Sequence, residues 1–504
     1  MINYTSFIIM TSPDLLPYYS LIHIDRNAKV SVYLQITTQI INAIQKGYLS
    51  IGTKLPGTRI LSNLIHVNRN TIVKVYDELH AQGWIEVHPN KGSFIIQKDN
   101  VTNKKIKSIS KDSLTHYPSK TGFSYRTSNL LDNPFESSTC SWMLNDGGPD
   151  TRLLQMNTLS SLYSSNLKRK RHFTKGNNEV PEKSEYLKKN LSNFLNLSRG
   201  LHISPKNLLI TRSIEMGGYI AAELLITPKD IVLVGEPSYF LINMILQKVG
   251  ADIITIPVDE EGISPDAVKK ICQKRKIRML YITPHHHYPT TVSLSVKRRM
   301  ELLELSQQYG FIILEDDYDY DFHYENNRIL PLASADTSGM VVYIGSFGRS
   351  LAPGFRKGFV IAPENLILEM QKLSNMLDRQ GDIFMEYALG ELIEEGEFNR
   401  HLRRTSAIYK ERRNYLASLL NTHLKDYLNF SLPTGGLAFW TQWNSSVNLM
   451  KLREYCLKED LLIPKSLLYQ THNLSAMRLG FGSFTTEEME EIIYKIKSAL
   501  LRLE

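Results

Sequence analysis

Residues 345–358 read Gly-Ser-Phe-Gly-Arg-Ser-Leu-Ala-Pro-Gly-Phe-Arg-Lys-Gly and directly follow the apolar run Val341-Val342-Tyr343-Ile344. A short apolar run that ends at a glycine is typical of a buried strand, and ligands of α/β proteins bind beside the residues that follow such strands. Arg349 is the most informative residue of the stretch, because its guanidinium stays protonated at physiological pH and is a poor nucleophile. The stretch therefore predicts a strand-end site that carries a permanent positive charge.

Helical segments alternate with short apolar strands on both sides of this stretch. Besides residues 341–344, the predicted strands include residues 231–234, 279–282 and 311–314. Alternation of this kind indicates an α/β domain with a buried and mostly parallel sheet. We therefore predict the α/β fold class for residues 141–504.

Four further segments carry polar residues where predicted strands end. They are Thr211-Arg212-Ser213-Ile214-Glu215-Met216, Glu236-Pro237-Ser238-Tyr239, Glu315-Asp316-Asp317-Tyr318-Asp319 and Ala476-Met477-Arg478-Leu479-Gly480-Phe481. Together with residues 345–358, and in this order, they resemble the landmarks of the fold-type I pyridoxal phosphate aminotransferases. The resemblance implies the aminotransferase class I/II architecture, in which a large domain with a mostly parallel sheet carries a small C-terminal α+β subdomain.

The resemblance also implies a pyridoxal phosphate site. Asp316 would face the pyridine nitrogen, Tyr318 would reach the phenolic oxygen, and Tyr239 would stack on the ring. The implied cofactor residues are Ser213, Ile214, Tyr239, Asp316, Tyr318, Ser346, Arg349 and Arg356. Arg478 is the implied ligand of an effector carboxylate.

The end of the site that would hold the phosphate departs from the family pattern. Ser346 and Arg356 fit the usual hydroxyl and arginine ligands, and the helix that starts at Ser213 and Ile214 would offer its backbone amides. Gly348, however, replaces a serine. Glu215 places a carboxylate where a neutral glutamine is expected, and its repulsion weakens anion binding unless Arg212 or Arg349 offsets it.

The end that would hold the aldehyde departs further, because Arg349 stands where the family has its Schiff-base lysine. If a cofactor is held, it is not as a Schiff base at position 349. The nearest lysine is Lys357, next to Arg356. Adjacent strand residues point to opposite faces, so Lys357 should face away if Arg356 faces the phosphate.

The run His285-His286-His287 raises the question of a metal, since histidine is a common ligand. Consecutive residues of an extended loop point in different directions. We therefore expect no metal site.

The first hundred residues show a different pattern. Apolar residues at helical spacing predict a helix that Gly47 ends, and Thr58 and Asn68 are placed to cap two further helices. The buried stripe of the third helix consists of Ile72, Val75, Tyr76 and Leu79. Two short strands around the turn at residues 89–92 follow. We predict a winged helix-turn-helix over residues 28–97.

The order of these motifs resembles the winged helix-turn-helix of the GntR regulator family, and with the C-terminal landmarks it resembles the MocR subgroup. The resemblance implies binding to double-stranded operator DNA. The implied DNA-binding residues are Arg59, Asn68, Arg69, Asn70, Thr71, Lys74, Lys91 and Gly92. Whether Arg69 contacts a base or a phosphate stays open.

The formal net charge of +8 is located in the first quarter of the chain. Residues 1–130 hold 15 Lys and Arg against 7 Asp and Glu, whereas residues 131–504 hold 44 of each sign. Such asymmetry fits a polyanion-binding module joined to a neutral domain. Residues 98–140 are polar and basic and are predicted to be a linker, whose lysines at 104, 105, 107 and 111 either add phosphate contacts or only connect.

Three cysteines without metal-ligand or disulfide spacing fit a reducing compartment. The short apolar run at residues 7–10 matches neither a signal peptide nor a membrane span. We therefore expect a cytoplasmic protein with no membrane partner.

These observations favour a transcriptional regulator whose aminotransferase-like domain senses an effector and forms a homodimer. The effector stays open between pyridoxal phosphate held without a covalent bond, a preformed adduct with an amino acid, and another anion recruited by Arg349. A working aminotransferase that also binds DNA is the main alternative, and it lacks the amine that transamination needs. A scaffold that binds nothing in its C-terminal domain is a third interpretation.

Overall fold

The computed structural model describes residues 18–26, 30–46, 48–89, 91–96, 119–154, 156–169, 185–325, 329–351, 357–379, 381–471 and 473–503. The chain divides into two compact units, an N-terminal unit of residues 1–135 and a C-terminal unit of residues 136–504. No helix among these described ranges combines the length and apolarity needed to cross a membrane.

The N-terminal unit is a small helical domain with a two-stranded sheet. Its elements are helices α1 (Tyr18–Leu21), α2 (Val32–Gln45), α3 (Thr58–Leu64) and α4 (Arg69–Ala81) and strands β1 (Ile85–His88) and β2 (Gly92–Ile95). The two strands pair antiparallel, with Ile85 opposite Ile95 and His88 opposite Gly92. Tyr18 and Ile22, which precede the predicted boundary at residue 28, lie in the core of this unit.

Helix α4 begins and packs as its sequence predicts. The side chain of Asn68 accepts a hydrogen bond from the backbone N–H of Asn70 at 2.8 Å, which satisfies one of the free amides of the first turn. The predicted stripe is fully or almost fully buried; it consists of Ile72, Val75, Tyr76 and Leu79. The prediction for α3 was wrong by one residue, because Gly57 is its N-cap and Thr58 is already helical.

The C-terminal unit alternates helices and strands. Its helices are α5 (Met156–Lys168), α6 (Glu185–Arg199), α7 (Ile214–Leu225), α8 (Phe240–Lys248), α9 (Pro265–Cys272), α10 (Val296–Tyr309), α11 (Glu364–Leu377), α12 (Ile383–Glu394), α13 (Glu397–His423), α14 (Leu449–Lys458) and α15 (Thr486–Leu501). Its strands are β3 (Trp142–Met143), β4 (Leu208–Thr211), β5 (Ile231–Glu236), β6 (Asp252–Asp259), β7 (Gly262–Ile263), β8 (Met279–Ile282), β9 (Ile312–Asp317), β10 (Val341–Ser346), β11 (Gly358–Ile361), β12 (Leu428–Phe430), β13 (Ala438–Trp443), β14 (Leu461–Leu462), β15 (Leu468–Gln470) and β16 (Ser475–Gly480).

A large sheet of eight strands forms the centre of this unit, in the order β4-β11-β10-β9-β8-β5-β6-β7. The inner pairs from β10 to β6 are parallel, whereas the pairs β4-β11, β11-β10 and β6-β7 are antiparallel. The middle strands are almost wholly buried and rich in Val, Ile and Leu, as expected for a parallel sheet covered on both faces. The predicted α/β class with a mostly parallel sheet is confirmed.

A smaller antiparallel sheet, in the order β12-β13-β16-β15, packs with α13, α14 and α15 around a second large core. This is the α+β subdomain that the resemblance implied. Parallel pairing of β3 with β14 attaches the first residues of the C-terminal unit to this subdomain. Arg478 lies in β16, so the subdomain contributes directly to the candidate site.

Candidate functional site

The candidate site lies where three parts of the C-terminal unit meet. The parallel strands β9 and β10 end at Asp317 and Ser346, and helix α7 begins beside them at Ile214. The loop around Asp146 and the buried Arg478 of β16 complete the site. Carboxyl ends of parallel strands and a helix N-terminus are where α/β folds bind ligands.

The guanidinium of Arg349 is tied to the loop that precedes α5. Its Nη2 lies 2.9 Å from Oδ2 of Asp146, and its Nη1 donates to the carbonyl of Gly147. Its Cζ lies 5.5 Å from the ring centre of Tyr318. Burial lowers the pKa of Arg349, but Asp146 together with the neighbouring Tyr318, Asp319 and Tyr288 outweighs that effect and keeps the pKa above its ordinary value. Arg349 therefore adds a fixed positive charge to the site.

Asp146 is the acidic partner that sequence analysis did not identify. Its partial burial alone would raise its pKa, but the charges of Arg349 and Arg478 hold the pKa below the ordinary range. The turn Asn145-Asp146-Gly147-Gly148-Pro149 was a signal in the sequence, since turns of this composition present polar side chains at fixed positions.

Arg478 is one of the most deeply buried side chains of the protein, with 1% of its surface exposed. Its guanidinium donates to the carbonyl oxygens of Asp146 at 2.8 Å and Pro289 at 2.9 Å, and to the hydroxyl of Tyr318 at 3.2 Å. It also lies over the ring of Tyr288, 4.5 Å from the centroid. These contacts fix the direction in which Arg478 presents its charge.

Asp316 is buried at the end of β9 and is only partly satisfied. Its Oδ2 accepts a hydrogen bond of 2.8 Å from the hydroxyl of Tyr281, whereas its Oδ1 has no partner among the described residues. Burial raises the pKa of Asp316 to about 8, the bond from Tyr281 acts in the opposite direction, and the nearby charge of Glu215 raises the pKa further. An unpaired buried carboxylate oxygen is costly unless a ligand donates to it.

The acidic neighbours of Asp316 have structural partners instead. Glu315 accepts from the backbone amides of Leu332 and Ala333, both at 2.8 Å. Asp317 accepts from the hydroxyl of Tyr343 at 2.7 Å. The run is thus a buried strand end and not a solvated acidic turn, and within it Asp316 alone carries an unpaired oxygen among the described residues.

Two tyrosines of the predicted site lie beside these charges. The hydroxyl of Tyr318 donates to the backbone carbonyl of His286 at 2.6 Å. The ring of Tyr239 packs edge to face on Tyr288, with centroids 4.7 Å apart. Burial raises the pKa of Tyr239 well above its ordinary value, and Asp146 adds to the effect. Tyr288 also lies edge to face with Tyr318, with centroids 6.1 Å apart. Tyr239, Tyr288 and Tyr318 therefore form one aromatic cluster next to the arginines.

The helix start that would hold a phosphate is already partly used. The hydroxyl of Ser213 caps α7 by accepting from the amide of Met216 at 3.2 Å, and Ile214 packs against the core of the large sheet. Glu215 lies in the first turn of α7, close enough to Asp316 to raise the pKa of that carboxyl. Ser346 ends β10 opposite Gly358, and Arg356 lies outside the described residues.

Neither of the two arginines considered as partners of Glu215 fulfils that role. Arg212 forms a two-pronged ion pair with Asp378, at 2.6 and 3.1 Å, and Arg349 is bound to Asp146. The ion pairs of the described residues include none to Glu215. The charge of Glu215 is therefore not offset by an ion pair with Arg212 or Arg349.

Lys357 is also engaged elsewhere. Its ammonium lies 2.8 Å from a carboxylate oxygen of Glu386 of α12, and both side chains are buried. Breaking a buried ion pair of this kind costs several kcal/mol, typically about 3–5 kcal/mol. Lys357 is therefore held by a structural partner.

The three consecutive histidines contact three different partners. His285 lies 3.2 Å from Asp317, His286 lies 3.0 Å from Asp319, and His287 lies 3.0 Å from the hydroxyl of Thr290. Within the described part of the chain, no group of three or more His, Cys, Asp or Glu side chains is arranged to hold a metal.

The candidate DNA-binding residues of the N-terminal unit lie on α3 (Arg59), in the first part of α4 and its cap, and on the wing. Six of the eight side chains are exposed, and Thr71 and Gly92 are half-buried. The Nε of Arg69 lies 3.5 Å from the hydroxyl of Thr58, and Asn68 uses its side chain as the cap. Arg69, Asn70 and Lys74 lie off the buried stripe, on the face that a recognition helix turns towards DNA.

Comparison with known protein families is consistent with both units. Residues 166–496 match the model of aminotransferase class I and II, and residues 32–95 match the model of the bacterial regulatory proteins of the gntR family. The protein is thus a GntR-type DNA-binding domain fused to an aminotransferase-like domain.

Two relatives match over nearly the whole of this chain. The chain is 24% identical over 497 residues to the probable rhizopine catabolism regulatory protein MocR of Rhizobium meliloti, covering 95% of this chain and 96% of that one. It is 27% identical over 468 residues to the uncharacterized HTH-type transcriptional regulator YdfD of Bacillus subtilis, covering 93% and 96%. The chain belongs to the aminotransferase class I and II family and, with its GntR domain, to the MocR subgroup of transcriptional regulators.

Solved structures agree on the fold. An archaeal alanine:glyoxylate aminotransferase superposes with a TM-score of 0.65 at 25% identity, covering 72% of this chain and 91% of the other. The alpha-aminoadipate aminotransferase LysN of Thermus thermophilus gives the same score at 20% identity, covering 72% and 92%. The C-terminal unit therefore has the fold of these aminotransferases, and the LysN structure contains N-(5'-phosphopyridoxyl)-L-leucine.

The described residues fit pyridoxal phosphate at one end only. The unpaired Oδ1 of Asp316 suits a pyridinium N–H, and Tyr239 offers a ring for stacking. At the other end, Glu215 opposes a phosphate, and Arg349 replaces an amine with a guanidinium that is already bound.

Proposed function

We propose that this transcriptional regulator uses its aminotransferase-like unit to sense a small anionic effector and to form a homodimer, and that it does not catalyse transamination. The single observation that carries the proposal is Arg349. It stands at the position implied for the Schiff-base lysine, and its guanidinium is held by Asp146. A protonated guanidinium neither attacks an aldehyde nor shuttles a proton as a lysine amine does.

The proposed effector site combines two residues that would contact a planar ring with one arginine that would hold a carboxylate. Asp316 and Tyr239 would orient a planar ring, and Arg478 would hold a carboxylate. Pyridoxal phosphate, when bound, supplies a reactive aldehyde and an electron-withdrawing ring. In this chain we propose that pyridoxal phosphate, its adduct with an amino acid, or another anion is held without a covalent bond.

The proposed operator contacts are those of α3, the first part of α4 with its cap, and the wing. Arg59 of α3 and Arg69 of α4 are the best candidates, with Asn68, Asn70, Thr71 and Lys74 beside Arg69 and Lys91 and Gly92 on the wing. Winged modules of this kind bind paired half-sites, so a homodimer in the cytoplasm fits the proposal. An effector would act through different affinities for two arrangements of these modules.

Titration of the purified protein with pyridoxal phosphate, followed by borohydride reduction and mass spectrometry, tests the proposal. In the wild type we expect binding without a reducible covalent bond. Arg349→Lys should acquire that bond if the rest of the pocket is sound. A fixed adduct on a site lysine of the wild type would contradict the non-covalent model.

Regulation is tested separately with an operator selected from random DNA. The full chain should bind it as a dimer in light scattering, and addition of the effector should change the affinity. An affinity that no ligand of the pocket alters would remove the sensing role and leave a DNA-binding scaffold.

A further inference from the structure

The first residues of the C-terminal unit form a segment that runs along the subdomain and ends in the candidate site. We call residues 136–148 the entry segment. At its start, Glu136 accepts from Arg453 at 2.9 Å and from the amide of Lys465 at 2.7 Å. In its middle, β3 pairs with β14. Both anchors belong to the same subdomain.

The tip of the entry segment is held by a compact set of hydrogen bonds. The side-chain oxygen of Asn145 accepts from the amides of Gly147 at 2.9 Å and Gly148 at 2.8 Å. Its backbone carbonyl accepts from Gly480 at 2.9 Å. A Cβ on Gly480 would approach the nitrogen of Gly147 to 2.3 Å, so only glycine permits this approach. The turn therefore presents Asp146 in one direction, towards the arginines.

Asp146 occupies the place of an anion between two cations. Arg349 bonds to its carboxylate at 2.9 Å, and Arg478 donates to its backbone carbonyl at 2.8 Å and lowers the pKa of its carboxyl by charge. Charge-assisted bonds of this type are among the strongest polar contacts in proteins. A free carboxylate has the same charge and the same oxygen acceptors, so it can make the bond that the Asp146 side chain makes with Arg349.

Exposure makes an exchange of partners feasible. One-third of the Asp146 side chain is exposed, whereas 18% of Arg349 is. Asp146 can thus turn into water at little cost in desolvation, while the buried Arg478 and the mostly buried Arg349 still need an anion.

We infer that Asp146 is an internal occupant of a carboxylate site formed by Arg349 and Arg478, and that a small carboxylate binds there by displacing it and releasing the tip of the entry segment. The inference rests on the proposed sensing function and names its ligand class. Glu136 is the first residue of the C-terminal unit. Asp146, where the tip is released, therefore lies only ten residues along the chain from the boundary with the N-terminal unit.

Calorimetric titration of the full chain with succinate at constant ionic strength tests the inference. Asp146→Asn keeps the shape of the side chain but removes its charge, so succinate should bind about tenfold tighter or more, as expected when an internal competitor is removed. Arg349→Gln should abolish the binding. Asp378→Asn is the matched control, because it removes the same charge from the ion pair with Arg212 in the same unit, and its affinity should equal that of the wild type.

Hydrogen exchange gives a second measurement that needs no variant. In the wild type, succinate should speed exchange of the amides of Gly147 and Gly148, and chloride at the same ionic strength should not. In Asp146→Asn these amides should exchange faster without ligand.

Two calorimetric results would overturn the inference: equal affinities in the wild type and Asp146→Asn, or no binding of succinate to Asp146→Asn. Protected glycine amides in the succinate complex would also overturn it. Neither measurement uses DNA, so a protein that releases its tip but binds its operator unchanged would contradict the proposed function and leave the displacement intact.

Discussion

Glu215 carries a negative charge at a place where an anionic ligand is expected to bind. It lies in the first turn of α7, where a helix favours anionic ligands, and its own charge raises the pKa of Asp316. We predict that Glu215→Gln tightens pyridoxal phosphate binding by about three- to tenfold, because removal of a like charge is worth on the order of 1 kcal/mol. The change in cofactor fluorescence or absorption on titration measures this affinity.

Glu223→Gln is the matched control for Glu215→Gln. Glu223 lies on the same helix, is exposed and interacts with Tyr219, so its substitution makes the same change of charge away from the site. An equal gain in both variants would show a general effect of net charge and would contradict the local role of Glu215.

Asp316 makes stability depend on pH in a defined direction. Burial raises the pKa of Asp316 from 3.8 to about 8, so between these values the folded protein holds a proton that the unfolded chain has released. The stability that Asp316 contributes is therefore complete below about pH 4 and is lost as the pH rises through 8. Each pK unit corresponds to about 1.4 kcal/mol.

We predict that Asp316→Asn flattens this dependence. Thermal unfolding of the wild type and the variant between pH 5 and 8 should show a wild-type Tm that falls relative to that of Asp316→Asn. Burial also raises the pKa of Glu315, to about 7, so the comparison with the variant isolates the part due to Asp316. Parallel curves would show that Asp316 is ionised in the folded protein.

Single residues could be located from the sequence, but their partners could not. Arg349 and Asp316 were found because each lies at the end of a predicted strand, and Arg478 because its segment resembles a landmark of the family. Asp146 was missed because it lies 203 residues from Arg349 along the chain. The pairing depends on how the subdomain packs, and no local pattern records that.

At the scale of elements, the start of α4 determines how Arg69 is presented. The cap at Asn68 satisfies an amide of the first turn. We predict that Asn68→Ala lowers the free energy of unfolding of the N-terminal unit by about 1 kcal/mol, measured by urea denaturation followed by circular dichroism. Asn63→Ala, on the exposed face of α3, should leave it almost unchanged.

The same helix start gives a prediction for DNA binding. Arg69→Ala should weaken operator binding several-fold without loss of stability, because the side chain is exposed and makes one long contact to Thr58. Gel-shift or anisotropy titrations would measure the change. Unchanged affinity would exclude Arg69 from the operator contacts.

Elements with a strong local pattern were predictable, and their neighbours in the sheets were not. The stripe and the cap defined α4, and the apolar runs defined β5, β8, β9 and β10. The pairing of β13 with β16 joins residues nearly forty positions apart, and β3 pairs with β14 across more than three hundred. Such pairings depend on long-range packing, which strand propensity does not encode.

At the scale of the whole molecule, the distribution of charge separates the two units. All of the excess positive charge lies in residues 1–130, and residues 131–504 are balanced. The four lysines at 104, 105, 107 and 111 belong to the predicted linker and lie outside the described residues. If they bind phosphates, they release counterions and steepen the salt dependence of operator binding.

We predict that replacing these four lysines with glutamine lowers the slope of log K against log salt by about 0.9 for each phosphate that they neutralise in the wild type. The matched control replaces four exposed lysines of the C-terminal unit, Lys269, Lys270, Lys274 and Lys276. Both variants have four fewer positive charges than the wild type, so they differ only in where the charge was removed. Equal slopes in the two variants and the wild type would mean that the linker only connects the units. A reduced slope in the first variant alone would show that the linker lysines bind DNA. The salt dependence would then follow from where the positive charge lies in the chain and not only from the net charge.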